Sequence, residues 1–296
     1  MDNGLAATRR RVTLPRRIAH PTRSVRADHT CHGKAPLQPR RTWQWLGLLL
    51  LGVLATAHAG VFVQPEGAGR VIITGVATRS PRGFDAHGHV APIADYNQDQ
   101  LYISAEYGLS DNLTLILAPS YRSVRVENDA NSRGLGYTEA GARYRLAQGS
   151  NWLVSTQASI RIPGQGRSDR IAQLGNTSTD LDLRLGAAWT TATTFLTGEG
   201  GYRLRSGGQA NEFHVDVTAG WHLGPRVMLL ASVFNTFSDG ASTGVLNQKY
   251  RYGDAYFNVA WELNKRLTVM AGYTATLYGK NALRQRGPVI GLWINF

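Results

Sequence analysis

The sequence predicts an all-β chain, a transmembrane antiparallel up-and-down β-barrel of about twelve strands, on three observations. The chain closes on Gly287-Pro-Val-Ile-Gly-Leu-Trp-Ile-Asn-Phe296, where Ile290, Leu292, Ile294 and Phe296 share one face of an extended strand and end it on an aromatic ring. A segment with the order of an export signal stands ahead of the body. The body itself alternates apolar and polar residues with period two, cut by polar hinges. A bilayer accepts strands only as a closed barrel, because each unpaired backbone polar group in hydrocarbon costs several kcal/mol.

The export signal has its parts in sequence. Arg40 and Arg41 supply the positive flank, Leu46–Ala55 is the apolar core, and Ala57-His58-Ala59 is a small-x-small cleavage site before Gly60. An anchoring helix needs about 20 apolar residues, and this run is shorter. Residues 1–59 are therefore expected to be a basic leader and signal peptide removed after Ala59, and residues 60–296 a single barrel in the outer membrane of a Gram-negative cell. Residues 1–41 exceed an ordinary positive flank and carry arginines at 9, 10, 11, 16, 17, 23 and 26. A translation start downstream of Met1 explains this best. Sequencing of the processed protein is expected to begin near Gly60, and a product retaining Cys31 would contradict it.

Removing the leader changes what the charge means. The whole chain has a net charge of +12 from 32 Lys and Arg against 20 Asp and Glu, but the leader holds 10 basic and 2 acidic residues, so residues 60–296 carry about +4. The basic pI belongs mostly to the discarded segment, and nucleic acid is not expected as a partner. The sole cysteine, Cys31, is lost too, which leaves no disulfide and no cysteine for a lipid anchor.

Turn signals divide the rest into twelve strands near 70–80, 98–109, 113–124, 135–147, 152–162, 178–189, 195–206, 211–223, 226–237, 249–263, 266–278 and 287–296. The connections at 110–112, 148–151, 190–194, 224–225 and 264–265 are tight. Those at 81–97, 125–134, 163–177, 207–210, 238–248 and 279–286 are longer. Barrels of the outer membrane alternate short periplasmic turns with longer outer loops, and an even strand number leaves both termini in the periplasm. Tyr107, Tyr144, Trp152, Trp189, Trp221, Trp261 and Phe296 occupy the lipid-facing parity, each within a few residues of a tight turn or of the C-terminus. Aromatic rings gathered at one level form an interfacial girdle. A secreted β-sandwich would also alternate, but not with aromatics at one end only.

The opposite parity gives a polar lumen holding Glu106, Glu139, Arg143, Arg145, Arg161, Asp180, Asp182, Arg184, Glu199, Arg203, Arg205, Glu212, His214, Asp216 and Glu262. Charge facing hydrocarbon costs about 2–4 kcal/mol at the midplane, so gathering on one parity supports that assignment. Gly141, Gly186, Gly201 and Gly220 on this parity leave room for long arginines or relieve curvature. Eight-stranded barrels are filled by side chains and sixteen-stranded ones hold a channel, so about twelve strands predict a narrow pore. The expected lining is Glu106, Glu139, Arg143, Arg145, Arg184, Glu199, Arg203, Arg205, Glu212, His214, Asp216 and Glu262. No long loop resembles a plug. Opposed charges can also pair and seal the lumen, the alternative to an open pore.

Three constellations have weaker claims on chemistry. Gly240-Ala-Ser242-Thr-Gly244 matches a hydrolase elbow but lies between strands instead of at a strand-to-helix turn. Asp85, His87, His89 and Asp95 fall in a loop more consistent with solvation than with a metal. Glu212, His214 and Asp216 place a histidine between two carboxylates on one strand face, a candidate proton-transfer site and also what a lumen rich in ionisable groups produces unaided.

Residues Gly69-Arg-Val-Ile72, Phe84-Asp85, Tyr96-Asn97 and Ala105-Glu-Tyr-Gly-Leu-Ser-Asp-Asn-Leu-Thr-Leu115 resemble the transporter-like outer-membrane channels associated with phenol-degradation pathways. The resemblance is clearest over residues 69–120 and implies a barrel that passes small, often aromatic compounds. The expected activity is passive passage of small solutes without cofactor, metal or catalysis. Expected partners are outer-membrane lipids and lipopolysaccharide, the barrel-assembly machinery through Phe296, and the solutes. A closed structural or envelope-associated barrel and a barrel hydrolase are the rivals.

Overall fold

The computed structural model describes residues 60–128, 131–164, 178–243 and 247–296. Twelve long strands and one two-residue strand form a single antiparallel sheet: β1 (Gly69–Phe84), β2 (Val90–Ser110), β3 (Leu113–Val126), β4 (Ser132–Gln148), β5 (Trp152–Pro163), β6 (Asp180–Thr190), β7 (Thr194–Arg205), β8 (Asn211–His222), β9 (Val227–Asp239), β10 (Arg251–Asn264), β11 (Leu267–Lys280), β12 (Ala282–Leu283) and β13 (Arg286–Asn295). Each long strand pairs with the long strands next to it in sequence, the short β12 pairs with β1, and β1 pairs with both β2 and β13, which closes the sheet. The seam is sealed at one end by reciprocal bonds, Gly69 N to Phe296 O at 2.8 Å and Phe296 N to Gly69 O at 2.9 Å. Among the described residues each of the twelve long strands has a partner on both sides, the condition for a strand structure in hydrocarbon.

The two faces of the strands are the inverse of a water-soluble fold. On β6, Asp180 and Asp182 are each only 1% exposed, whereas Leu181 between them and Leu183 beyond them are 38% and 43% exposed. Acidic groups lie inside and leucines outside. Tyr107, Tyr144, Trp152, Trp189, Trp221, Trp261 and Phe296 are all exposed, and Trp152 is the direct register partner of Trp189. They ring the end that carries the short turns.

One connection departs from the sequence expectation. Residues 81–97, read as a loop, are mostly strand: pairing continues to Phe84 opposite Val90, leaving only Asp85–His89 as a turn. The Pro and Gly residues that signalled a loop are absorbed by a register shift between Ser80 and Arg82, where Pro81 has no N–H to lose. Asp85 Oδ1 accepts from His87 N at 2.8 Å and His89 N at 2.9 Å, and Gly88 takes the left-handed conformation at φ 88°. These donations hold the Asp85 carboxyl below its ordinary pKa. Asp95, the other carboxylate of the proposed metal loop, forms an ion pair with Arg79. Most of the long connection 163–177 and residues 244–246 of the connection 238–248 lie outside the described residues.

Candidate pore and the segment inside it

Register sets the charged wall. On β6 and β7, Asp180 is opposite Arg205 and Asp182 opposite Arg203; on β7 and β8, Glu199 is opposite Asp216 and Arg203 opposite Glu212. Because all point inward, cross-strand neighbours pair. Arg203 reaches Asp182 at 2.6 Å and Glu212 at 2.7 Å, and Arg205 reaches Glu212 at 2.8 Å and Asp180 at 3.6 Å. The like charges Glu199 and Asp216 are held together by Arg184, whose Nη1 donates to them at 2.6 Å and 2.9 Å, while its Nε donates to Asp182 at 2.8 Å. Gly201 permits this reach, since a Cβ there would stand 2.9 Å from the Arg184 side chain.

A second group lies around Arg143. Its Nη1 donates to Glu106 at 3.0 Å, and its Nε and Nη2 donate to Gln157 Oε1 at 3.1 Å and 2.9 Å. Glu139 accepts from Ser159 at 2.7 Å, and Arg161 lies 3.9 Å from it with its guanidinium over the Tyr137 ring. Arg70, which the sequence reading left out, is 3% exposed and donates to Asn295 across the seam at 2.8 Å.

Glu106, Glu139, Arg143, Arg184, Glu199, Arg203, Arg205, Glu212, His214 and Asp216 thus belong to the interior as expected from parity. Arg145 and Glu262 do not join them. Arg145 bonds Asn112 Oδ1 at 3.0 Å and 2.8 Å in the Ser110–Asn112 turn, and Glu262 lies one residue from the girdle residue Trp261. Parity was right for both, but depth places them at the rim. His214 Nε2 lies 3.1 Å from Glu212, and Asp216 is occupied by Arg184 and by Asn235 N, so the three residues do not form a relay. Ser242 Oγ accepts from Ala210 N at 3.0 Å in the loop after β9, and Gly244 lies outside the described residues.

Part of the lumen surface is apolar. Phe195, Met228, Leu230, Ala260 and Trp293 are buried together, with Ile72 and Met270 packed against them. Sequence parity did not single these out, because on β9 and β13 both faces carry apolar side chains.

Residues 60–66, whose place the sequence left open, precede the first strand and enter the lumen at the short-turn end. Val61 is fully buried; its carbonyl accepts from Ser155 Oγ at 2.6 Å, and the Phe62 carbonyl accepts from Arg143 Nη1 at 2.7 Å. Gln64 N donates to Thr114 Oγ1 at 2.8 Å, and its side-chain amide donates to Glu106 at 2.9 Å. The Phe62 ring meets Phe195 edge-on at 6.1 Å, on the apolar wall. Gly186, expected to make space for arginine, makes space for this segment: a Cβ there would stand 2.6 Å from Val61. The segment was missed because seven irregular residues carry no periodicity, although Gly-x-Phe before a strand in a chain with a polar lumen is a short anchor in retrospect.

Above the segment the lumen keeps a cavity of about 340 Å³. Arg70, Glu106, Arg143, Arg184 and Glu199 line it together with Phe62, Ile72, Tyr102, Ile116 and Phe234, and register sets the two kinds side by side, Glu106 opposite both Arg70 and Ile116. Its volume is in the range of small-molecule sites.

Known proteins place this architecture. An outer membrane channel from Pseudomonas putida F1 superposes with a TM-score of 0.67 at 13% identity, over 81% of this chain and 100% of that one. The NanC porin superposes with a TM-score of 0.50 at 11% identity, over 75% of this chain and 98% of that one. At such identities the likeness establishes the fold, a twelve-stranded barrel of outer-membrane type. No curated protein matches the chain in sequence. The family model described as "Putative MetA-pathway of phenol degradation" matches residues 86–291, well over half the sequence, and the chain belongs to that family.

Proposed function

We propose that the processed chain, residues 60–296, is an outer-membrane channel for small amphipathic solutes, with passage controlled at the periplasmic end by residues 60–66. The observation that carries this reading is the cavity of about 340 Å³, lined by ionised groups and by aromatic or aliphatic side chains together. A fully apolar solute would leave the buried charges unsolvated, and a strongly hydrated ion would gain nothing from Phe62, Ile72 and Phe234. A small aromatic molecule with one or two polar groups meets both. Movement is passive, along a concentration gradient, with no cofactor. Arg143, Arg184, Arg203 and Arg205 facing Glu106, Glu139, Glu199 and Glu212 form the charged side of the path.

Cleavage after Ala59 fits the site. Glu199 and Asp216 share the one cation Arg184 near Gly60, and a Cβ on Gly60 would stand 2.8 Å from Glu199 Oε2. A new α-ammonium group at Gly60 would bring a cation to that surplus of carboxylates.

Uptake into proteoliposomes by a panel of neutral sugars, inorganic ions and substituted phenols or benzoates tests the reading. Preferential entry of the monoaromatic compounds is expected; entry of none of them, or of sugars and aromatics alike, would count against it. The second reading, a sealed envelope barrel, is favoured by the hydrogen-bonded seating of residues 61–64, and it predicts no uptake even after that segment is removed.

A further inference from the structure

We infer that the outer end of the β1–β13 seam is a binding site for the phosphorylated glucosamine head of an outer-leaflet glycolipid of the lipid A type. Register places Arg79 directly opposite Arg286, two like charges in a cross-strand pair. Arg82 and Arg284 lie beside them, joined by Arg284 N donating to Arg82 O at 3.1 Å. All four arginines are exposed. Their carboxylate supply is small: Arg79 pairs with Asp95, and the nearby Asp99 is taken by Arg125 at 2.8 Å. Glu127 and Asp85 are the further acids of this end, Glu127 Oε2 accepting from Asp95 N at 3.2 Å and Asp85 Oδ1 accepting from His87 N and His89 N. Among the described residues no carboxylate stands within 4.0 Å of the Arg82, Arg284 or Arg286 guanidinium.

Depth identifies the occupant. Arg286 is ten residues from Phe296 in the girdle. At about 3.3 Å per residue and a strand tilt of about 35–45°, that run climbs about 25 Å, the height of the apolar band of an outer-membrane barrel. Arg286 shares the lipid-facing parity with Ile290, which is 65% exposed, and with Phe296. The arginines therefore stand at the upper limit of hydrocarbon, on the outside of the barrel, at the level of outer-leaflet phosphates. Planar guanidinium forks match phosphate oxygens in bidentate fashion, and an anion between Arg79 and Arg286 removes the cost of facing like charges. Acyl chains of the same molecule would cover the apolar surface below.

The inference rests on outer-membrane placement and not on channel activity. Native mass spectrometry of the purified full barrel, with lipid A, dephosphorylated lipid A, phosphatidylglycerol and inorganic phosphate added separately, reads it directly. Retention of lipid A alone is expected, with a fall of about tenfold or more in the Arg284→Gln/Arg286→Gln double variant. Equal retention of the dephosphorylated form, equal retention of phosphatidylglycerol, or unchanged retention by the double variant would each overturn it. Folding of the variant is checked by heat-modifiable gel mobility; should it fail, the single variant Arg286→Lys serves, and a loss of retention there is expected because an ammonium cannot replace a guanidinium fork. Conductance unaltered by the substitutions would leave the channel reading standing whichever way lipid binding fell.

Discussion

The two walls of the lumen are built by opposite rules. Strands β4–β8 face inward with carboxylates, guanidiniums and hydroxyls that satisfy one another by cross-strand register. Strands β9–β13 with β1 face inward with the apolar cluster Met228, Leu230, Ala260, Trp293 and Ile72 and with mostly uncharged polar groups such as Ser232, Thr236, Asn258 and Thr274. The charged wall is held by specific partners, and losing one leaves the rest uncompensated. The apolar wall is held by packing, and losing a side chain leaves only a void. The N-terminal segment uses both, offering its carbonyls to Arg143 and Ser155 and its Phe62 ring to Phe195. A single stretch of seven residues is thereby pinned to two chemically different surfaces.

The largest effect is expected from Arg184→Ala, which leaves Asp182, Glu199 and Asp216 together without their shared cation. Breaking a buried pair from one side costs about 3–5 kcal/mol, visible as a lower denaturant midpoint for the barrel refolded in phospholipid vesicles. A midpoint equal to that of the unaltered protein would show that water in the lumen already screens these charges. On the other wall, Leu230→Ala is expected to cost about 2–3 kcal/mol as a cavity, with no change in ion selectivity. A selectivity change there would erase the distinction between the walls.

Phe62→Ala sharpens the comparison at the point where the walls meet. The ring is only partly buried, so the expected loss of barrel stability is about 1 kcal/mol, yet conductance should rise because the segment loses its hold on the apolar side. Arg143→Gln weakens the other hold and should raise conductance as well, with a larger loss of stability, since Glu106 is 12% exposed and depends on that guanidinium. The smallest effect is expected at Asp85. Its lowered pKa means that the turn is stabilised above the ordinary carboxylate range and loosens as pH falls through the lower folded value. Amide exchange of His87 and His89 should therefore quicken relative to the rest of the barrel only on acidification, and the Asp85→Asn variant should lose that pH dependence.

Much of this was legible in the sequence because a barrel wall leaves a period-two record. Strand number, the short turns, the girdle of Trp152, Trp189, Trp221 and Trp261, and the inward parity of Arg184 or Glu199 all follow from alternation and from where turn residues fall. Alternation has no third coordinate. It assigned Arg145 and Glu262 to the right face and could not tell that they sit at the rim, nor could it see inward apolar residues such as Leu230 where the outward neighbour Leu229 is also apolar. Pro81 and Gly83 read as loop signals, although a register shift lets paired strands contain them. Residues 60–66 hold the lumen largely through backbone carbonyls and amides, which every residue possesses, and the side chains of Phe62 and Gln64 add too short a signal to carry a period.

The central claim is that a two-sided lumen is narrowed by residues 60–66 and is otherwise passable to small molecules. Single-channel recording in planar bilayers, comparing the processed protein with a variant lacking residues 60–66, tests it most directly. Small, fluctuating conductance in the first and a larger, steady conductance in the second are predicted. Silent bilayers for both proteins, or identical conductance in the two, would contradict it.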